Sequence, residues 1–155
     1  MKQGDVLKKE RERKKISIES AAEKLGLSAD QYRDIEAGNS PAEELGTLLA
    51  KIAIKLETPT SRLLAESGKA ADTKQGQAGE LITKHREKRG KTPEQMAEQL
   101  EIPLEEYQKI EAGQSGIEEW GPFFLRFGEM IEQPVFNLFY PAGLHYSVLK
   151  PEDYP

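Results

Sequence analysis

Apolar residues recur along this chain at helical spacing, and no stretch alternates in the manner of a strand. Leu45, Leu48, Leu49, Ile52 and Leu56 form one stripe, with the three- and four-residue steps of a buried helix face. Trp120, Phe123, Phe124, Phe127 and Ile131 form a second stripe of the same kind. Shorter patterns predict helices over roughly 4–14, 18–25, 79–89 and 93–100. A further helix starts near Ser28, where Ser28 and Gln31 have the spacing of a capping box. Thr92 and Gln95 repeat that spacing, with Pro93 at the first helical position. Gly38 and Gly113 close the third helix of each half, because glycine alone turns left-handed without strain. A short fifth helix is predicted at "TPTSRLL" (58–64) and again at "QPVFNLF" (133–139), with proline in the first turn.

These elements come in two sets. Displacing the chain by 75 positions aligns its halves without a gap: Gly4 falls on Gly79, Arg11 on Arg86, "YRDIEAGNS" on "YQKIEAGQS", and Leu63 on Leu138. An internal repeat outranks every other signal in a sequence. The expected organisation is all-α, with two tandem five-helix domains at 1–67 and 79–141. Between them, residues 68–78 are rich in Gly, Ala, Lys and Gln and read as a flexible linker. Residues 142–155 carry prolines and acids and read as an extended tail. A flexible connection of about 12 residues has an r.m.s. span of roughly 19 Å. Direct packing of the copies, through helix four or five of the second, is therefore expected, with residues 144–150 over the same region.

Composition narrows the class. The 155 residues are 37% hydrophobic and 32% charged, with no cysteine, which leaves neither disulfides nor thiolate metal sites. The first residues "MKQGDVLKKERERKK" lack the apolar segment of a signal peptide, and no apolar run approaches the ~20 residues of a membrane span. A cytoplasmic protein without membrane partners is expected. The net charge is −5, unusual for a nucleic-acid binder. Residues 1–70 carry 13 bases and 12 acids, and residues 71–155 carry 9 and 15. Each half nevertheless opens on a basic run, "KKERERKK" (8–15) and "KHREKRGK" (84–91).

The second and third helices of each half are joined by a few residues around "GLS" (26–28) or "EIP" (101–103), the spacing of a helix-turn-helix. "ISIESAAEKLGLSADQYRDIEAG" (16–38) resembles the phage repressor, Cro and Xre type of helix-turn-helix domain, and "KTPEQMAEQLEIPLEEYQKIEAG" (91–113) resembles a second copy. Ala22, Leu25, Tyr32, Ile35, Glu36 and Gly38 carry the likeness, as do Ala97, Leu100, Tyr107, Ile110, Glu111 and Gly113. The resemblance implies a transcriptional regulator that binds double-stranded DNA, without cofactor, metal or catalysis. It also implies structural ion pairs, Arg11 with Glu36 and Arg86 with Glu111, between helices one and three.

The family reads bases with the start of helix three. That places Ser28, Ala29, Asp30, Gln31, Arg33 and Asp34 near the groove in one copy, and Leu104, Glu105, Glu106, Gln108 and Lys109 in the other. Only Gln31 offers a usual base-reading pairing, and its capping box also claims it. Lys109 has the chemistry to reach guanine or a phosphate, Arg33 and Gln108 lie near the groove edge, and acids in a first turn also serve the helix dipole. The family often has a glutamine at the start of helix two, where Ile18 and Pro93 stand here, and a glycine where Glu101 stands. Phosphate contacts are expected from Lys14, Lys15, Lys88, Arg89 and Lys91 at the ends of the first helices, and from Asn39, Ser40, Gln114 and Ser115 in the following loops. The acidic third helices raise an alternative, a tandem module that keeps the fold and binds proteins instead. All five phenylalanines lie in the second half. They form either a richer core or an apolar face that docks the other repeat or another chain. His85, within a basic helix, reads as a surface residue.

Overall fold

The computed structural model describes residues 2–139; the tail at 142–155, and the expectation that 144–150 cover the second copy, lie outside the described residues. The fold is all-α. In chain order the helices are α1 (Gln3–Arg13), α2 (Ile18–Leu25), α3 (Ala29–Glu36), α4 (Ala42–Lys55), α5 (Thr60–Leu64), α6 (Gln77–Lys88), α7 (Pro93–Leu100), α8 (Leu104–Glu111) and α9 (Ile117–Ile131). Short 3₁₀ turns occupy Ala70–Asp72 and Val135–Leu138. The fifth element of the second half is thus a 3₁₀ turn rather than an α-helix. Pro59 and Pro134 stand one position earlier than the sequence suggests, as the residues before their elements.

The halves share their internal construction. Arg11 Nε and Nη2 grip Glu36 at 2.6 and 3.1 Å, and Arg86 grips Glu111 at the same two distances. The remaining guanidinium donor reaches the Ile16 carbonyl at 2.8 Å in one half and the Lys91 carbonyl at 2.7 Å in the other. Each pair ties the first helix to the third and to the loop between the first two. The hydrogen bond to Glu36 raises the Arg11 pKa further, and that to Glu111 does the same for Arg86. Burial alone would raise the Glu111 pKa, but hydrogen bonds from Arg86 and Tyr107 hold it below the ordinary value. Beside each pair the helices nearly touch. A Cβ on Gly4 would lie 2.4 Å from the Glu36 carbonyl oxygen, and one on Gly79 would lie 2.6 Å from that of Glu111. A glutamate from the fourth helix fixes the start of the first: Glu43 accepts from Gly4 N–H at 2.7 Å, and Glu118 from Gly79 N–H at 2.9 Å.

The halves also pack against each other, with an approximate two-fold relation. α4 lies against α9, α4 against α7, and α2 against α9. α5 packs on α6, the first helix of the other half, and the turn 135–138 packs on α1. Each contact thus has a counterpart displaced by 75, the mark of an isologous interface. Gly121 makes room for Leu64, whose Cδ2 would be 2.6 Å from an added Cβ; its counterpart Gly46 faces Phe139 at 3.4 Å. Gln3 is buried and donates to the Leu138 carbonyl across the seam at 2.7 Å. The buried apolar residues of both halves, Val6 and Leu81 apart, form one cluster. Phe124, Phe127 and Phe139 lie in it fully buried, and Trp120 and Phe136 pack half-buried against it. The connection between the halves is anchored too. Ala70 is buried, and its N–H donates to Glu129 at 3.1 Å.

A shared core predicts a single unfolding transition. Gly4→Ala and Gly79→Ala push a methyl group into backbone and should each cost about 3 kcal/mol. Glu36→Ala and Glu111→Ala strand a buried guanidinium and should cost about 3 kcal/mol as well. Each change should lower one common transition, seen at the same temperature by far-ultraviolet circular dichroism and by fluorescence of the lone Trp120. Two separated transitions would contradict the shared core.

Candidate nucleic-acid interface

The exposed face is built from α2, α3 and the turn between them, and again from α7 and α8. Ser17 caps α2 by accepting from Ser20 N–H at 3.0 Å, and Gly26 turns left-handed at φ 73° to end it. Ser28 and Gln31 then close the capping box that opens α3: Gln31 N–H donates to Ser28 Oγ at 3.1 Å, and Ser28 N–H to Gln31 Oε1 at 2.9 Å. Thr92 and Gln95 form the same box at α7. Glu101 replaces Gly26 and holds the left-handed turn at φ 58°, at the steric cost any Cβ meets there. Tyr32, Ile35, Tyr107 and Ile110 face inward and are buried. Burial pushes both tyrosine hydroxyls well above their ordinary pKa.

What remains outward on α3 is Asp30, Gln31, Arg33 and Asp34. Bidentate reading of adenine needs both ends of a glutamine amide, and the oxygen of Gln31 is already held in its cap. Arg33 is shared between Asp30 at 3.1 Å and Glu19 at 3.3 Å. On α8 the exposed residues are Glu105, Glu106, Gln108 and Lys109, with Leu104 half-buried. In the following loops Asn39 and Gln114 are exposed. Ser40 Oγ accepts from Ala42 N–H at 3.3 Å, and Ser115 Oγ from Ile117 N–H at 3.2 Å, so both serines are held against the first residue of the fourth helix of their half.

The basic ends of the first helices divide. Lys15 and Lys88 are exposed. Lys14 instead reaches Glu132 of the other half at 3.0 Å. Arg89, its counterpart at a displacement of 75, lies 3.8 Å from the Glu57 carboxylate and donates to the Glu57 carbonyl at 3.3 Å. Lys91 donates to the Lys55 carbonyl at 2.7 Å and to Gln99 at 3.0 Å. Three candidate phosphate contacts therefore also join the seam. Glu57 and Glu132 hold left-handed backbone at φ 50° and 58°. The sequence reading missed both, although their match in the repeat register was visible.

His85 also belongs to the seam. Its Nδ1 lies 3.5 Å from Thr58 Oγ1 of the other half. Burial lowers its pKa below the usual 6.5, and the charges of Arg89, Lys84 and Lys88 lower it further.

The α1–α5 stretch, with its capped helices, tight turn and buried Arg–Glu pair, defines a helix-turn-helix unit. A helix-turn-helix family model matches residues 7–61, from within α1 to within α5. Neither the curated proteins nor the solved structures include a significant match to the chain. Among the described residues, no helix is long and apolar enough to cross a membrane.

The His85 geometry predicts a pH dependence with a definite sign. The folded state binds the proton more weakly than the unfolded chain, so stability is full above the unfolded pKa and falls as pH drops through it. Melts from about pH 7.5 down to about pH 5.5 should show a loss of stability that His85→Gln reduces. An unchanged pH profile in the variant would contradict the assignment.

Proposed function

We propose that the chain is a DNA-binding transcriptional regulator in which two covalently linked Xre-type helix-turn-helix units stand in for a symmetric dimer. The observation that carries this reading is the two-fold relation of the halves, with the fourth helices together and the fifth segments exchanged onto the opposite first helices. Dimers of this motif place one reading helix on each half-site of a near-palindrome, and a covalent pair achieves this without an association step. In this reading Lys15 and Lys88 neutralise phosphates, and the loops at Asn39 and Gln114 lie along the backbone. α3 and α8 enter the groove with Arg33, Gln108 and Lys109 outward. The matched family supports the first unit directly. The shared ion pair, the hydroxyl cap of the second helix (Ser17 and Thr92) and the glycine approach support the second.

A second reading has its own support. The first turns of α3 and α8 carry Asp30, Glu105 and Glu106, and acids close to phosphates are repelled. A module that keeps the fold and binds a protein partner fits that face. The aromatic residues of the second half belong largely to the shared core, so the partner would meet the acidic helices.

Salt separates the two. Duplex selected from a random pool should bind the full chain with an affinity that falls steeply with salt, as counterion release requires. Lys15→Ala and Lys88→Ala should each reduce that log–log slope by about 1, read by fluorescence anisotropy. No enrichment from the pool, together with a flat salt response, would favour the protein-binding reading.

A further inference from the structure

We propose that a cavity at the seam between the two halves binds a protonated organic amine with an apolar body. The cavity holds about 350 Å³, within the range of small-molecule sites. Its wall includes Pro59 and Pro134, which correspond at a displacement of 75, so it lies where the two fifth segments approach each other. The halves differ there. Thr60 and Ser61 of the first correspond to Val135 and Phe136 of the second. One side of the cavity is therefore polar and the other apolar, with Leu125 extending the apolar side.

Its chemistry selects a cation. Among the described residues the charged members of the wall are Glu129 and Glu132, and the wall itself includes no base, although Lys14 reaches Glu132 from beside it. Each uses Oε2 internally, for Ala70 N–H at 3.1 Å and for Lys14 at 3.0 Å, which leaves the other oxygen as an acceptor. Thr60 also lines the cavity. It is 2% exposed, and its hydroxyl has no hydrogen-bond partner among the described residues. An unpaired buried hydroxyl is costly and calls for a partner. An ammonium offers three donors to this acceptor set, and charge-assisted hydrogen bonds to carboxylates are the strong ones. A phenyl or branched aliphatic body fits against Leu125 and Val135. A ligand so placed touches both halves at once, and therefore stabilises the seam. The site does not depend on the DNA-binding reading, since occupancy is measurable without DNA.

Titration calorimetry of the full chain with three probes of one body and different heads tests the proposal: 2-phenylethylamine, 2-phenylethanol and 3-phenylpropionate. The amine should bind saturably and about tenfold tighter than the alcohol, and the carboxylate should not bind. Glu129→Gln should weaken the amine about tenfold, and Ser61→Phe, which fills the space, should abolish its binding. Thermal melts check that both variants remain folded. An amine that does not titrate, or that binds no tighter than the alcohol, overturns the proposal on the parent protein alone. Parent affinity in both variants overturns the location.

Discussion

The contact of fourth helix with fourth helix is the constraint on which the rest of this structure depends. A unit of about 60 residues buries only about 60% of the surface its unfolded chain exposes. Neither half has the length to do better alone. Setting α4 against α9 encloses Leu49 and Ile52 of one half and Phe124 and Phe127 of the other, all fully buried. These four occupy two equivalent repeat positions. The second half fills them with rings where the first uses aliphatic chains, so the seam is symmetric in backbone and asymmetric in volume. The aromatic contacts follow that asymmetry: Phe124 meets Phe139 edge-on at 5.2 Å, and Phe123 meets Trp120 at 5.4 Å.

Close approach at the seam requires small residues and polar satisfaction. Gly46 and Gly121 provide the space. The exchanged fifth segments bring polar groups with them, and Gln3 satisfies one such carbonyl inside the core. The outer ion pairs matter less for stability. Glu57 and Glu132 have side chains 78% exposed, and exposed pairs contribute about 0–1 kcal/mol. Their left-handed backbone is nevertheless a conformation in which glycine would be easier. Strain accepted twice, at equivalent positions that each face a base of the other half, argues that register rather than energy is what these pairs supply.

Much of this was legible because the chain states its pattern twice. Helix spacing, capping boxes and the glycine stops gave the elements, and their boundaries moved by one or two residues at most for α1, α2, α3 and α7. Two kinds of information were not local enough to read. The fifth segment of the second half has an amphipathic pattern too short to separate α from 3₁₀, because four residues satisfy both periods. The anchoring of the connection rests on one buried alanine, Ala70, and its backbone hydrogen bond to Glu129, which leave no periodic trace. At the candidate interface, local commitments were visible and distant ones were not. The cap made by Gln31 shows in its spacing from Ser28, whereas Lys14, Arg89 and Lys91 read as phosphate contacts until the opposite half is placed beside them.

Those commitments bear on how an acidic chain could hold DNA. Each base that joins the seam removes a counter-charge from the outer surface, yet it also fixes the end of a first helix to the other half. Lys15 follows Lys14 directly, and Lys88 precedes Arg89. The inner member of each pair is thus held by the partner half while the outer member stays exposed. In the proposed DNA-binding reading, phosphate contacts from such outer members are held at a separation set by the seam rather than by a mobile connection. Few charges held rigidly lose less entropy on binding than many held loosely. The seam that takes up three of the five basic residues at these helix ends is therefore also what gives the other two a fixed geometry.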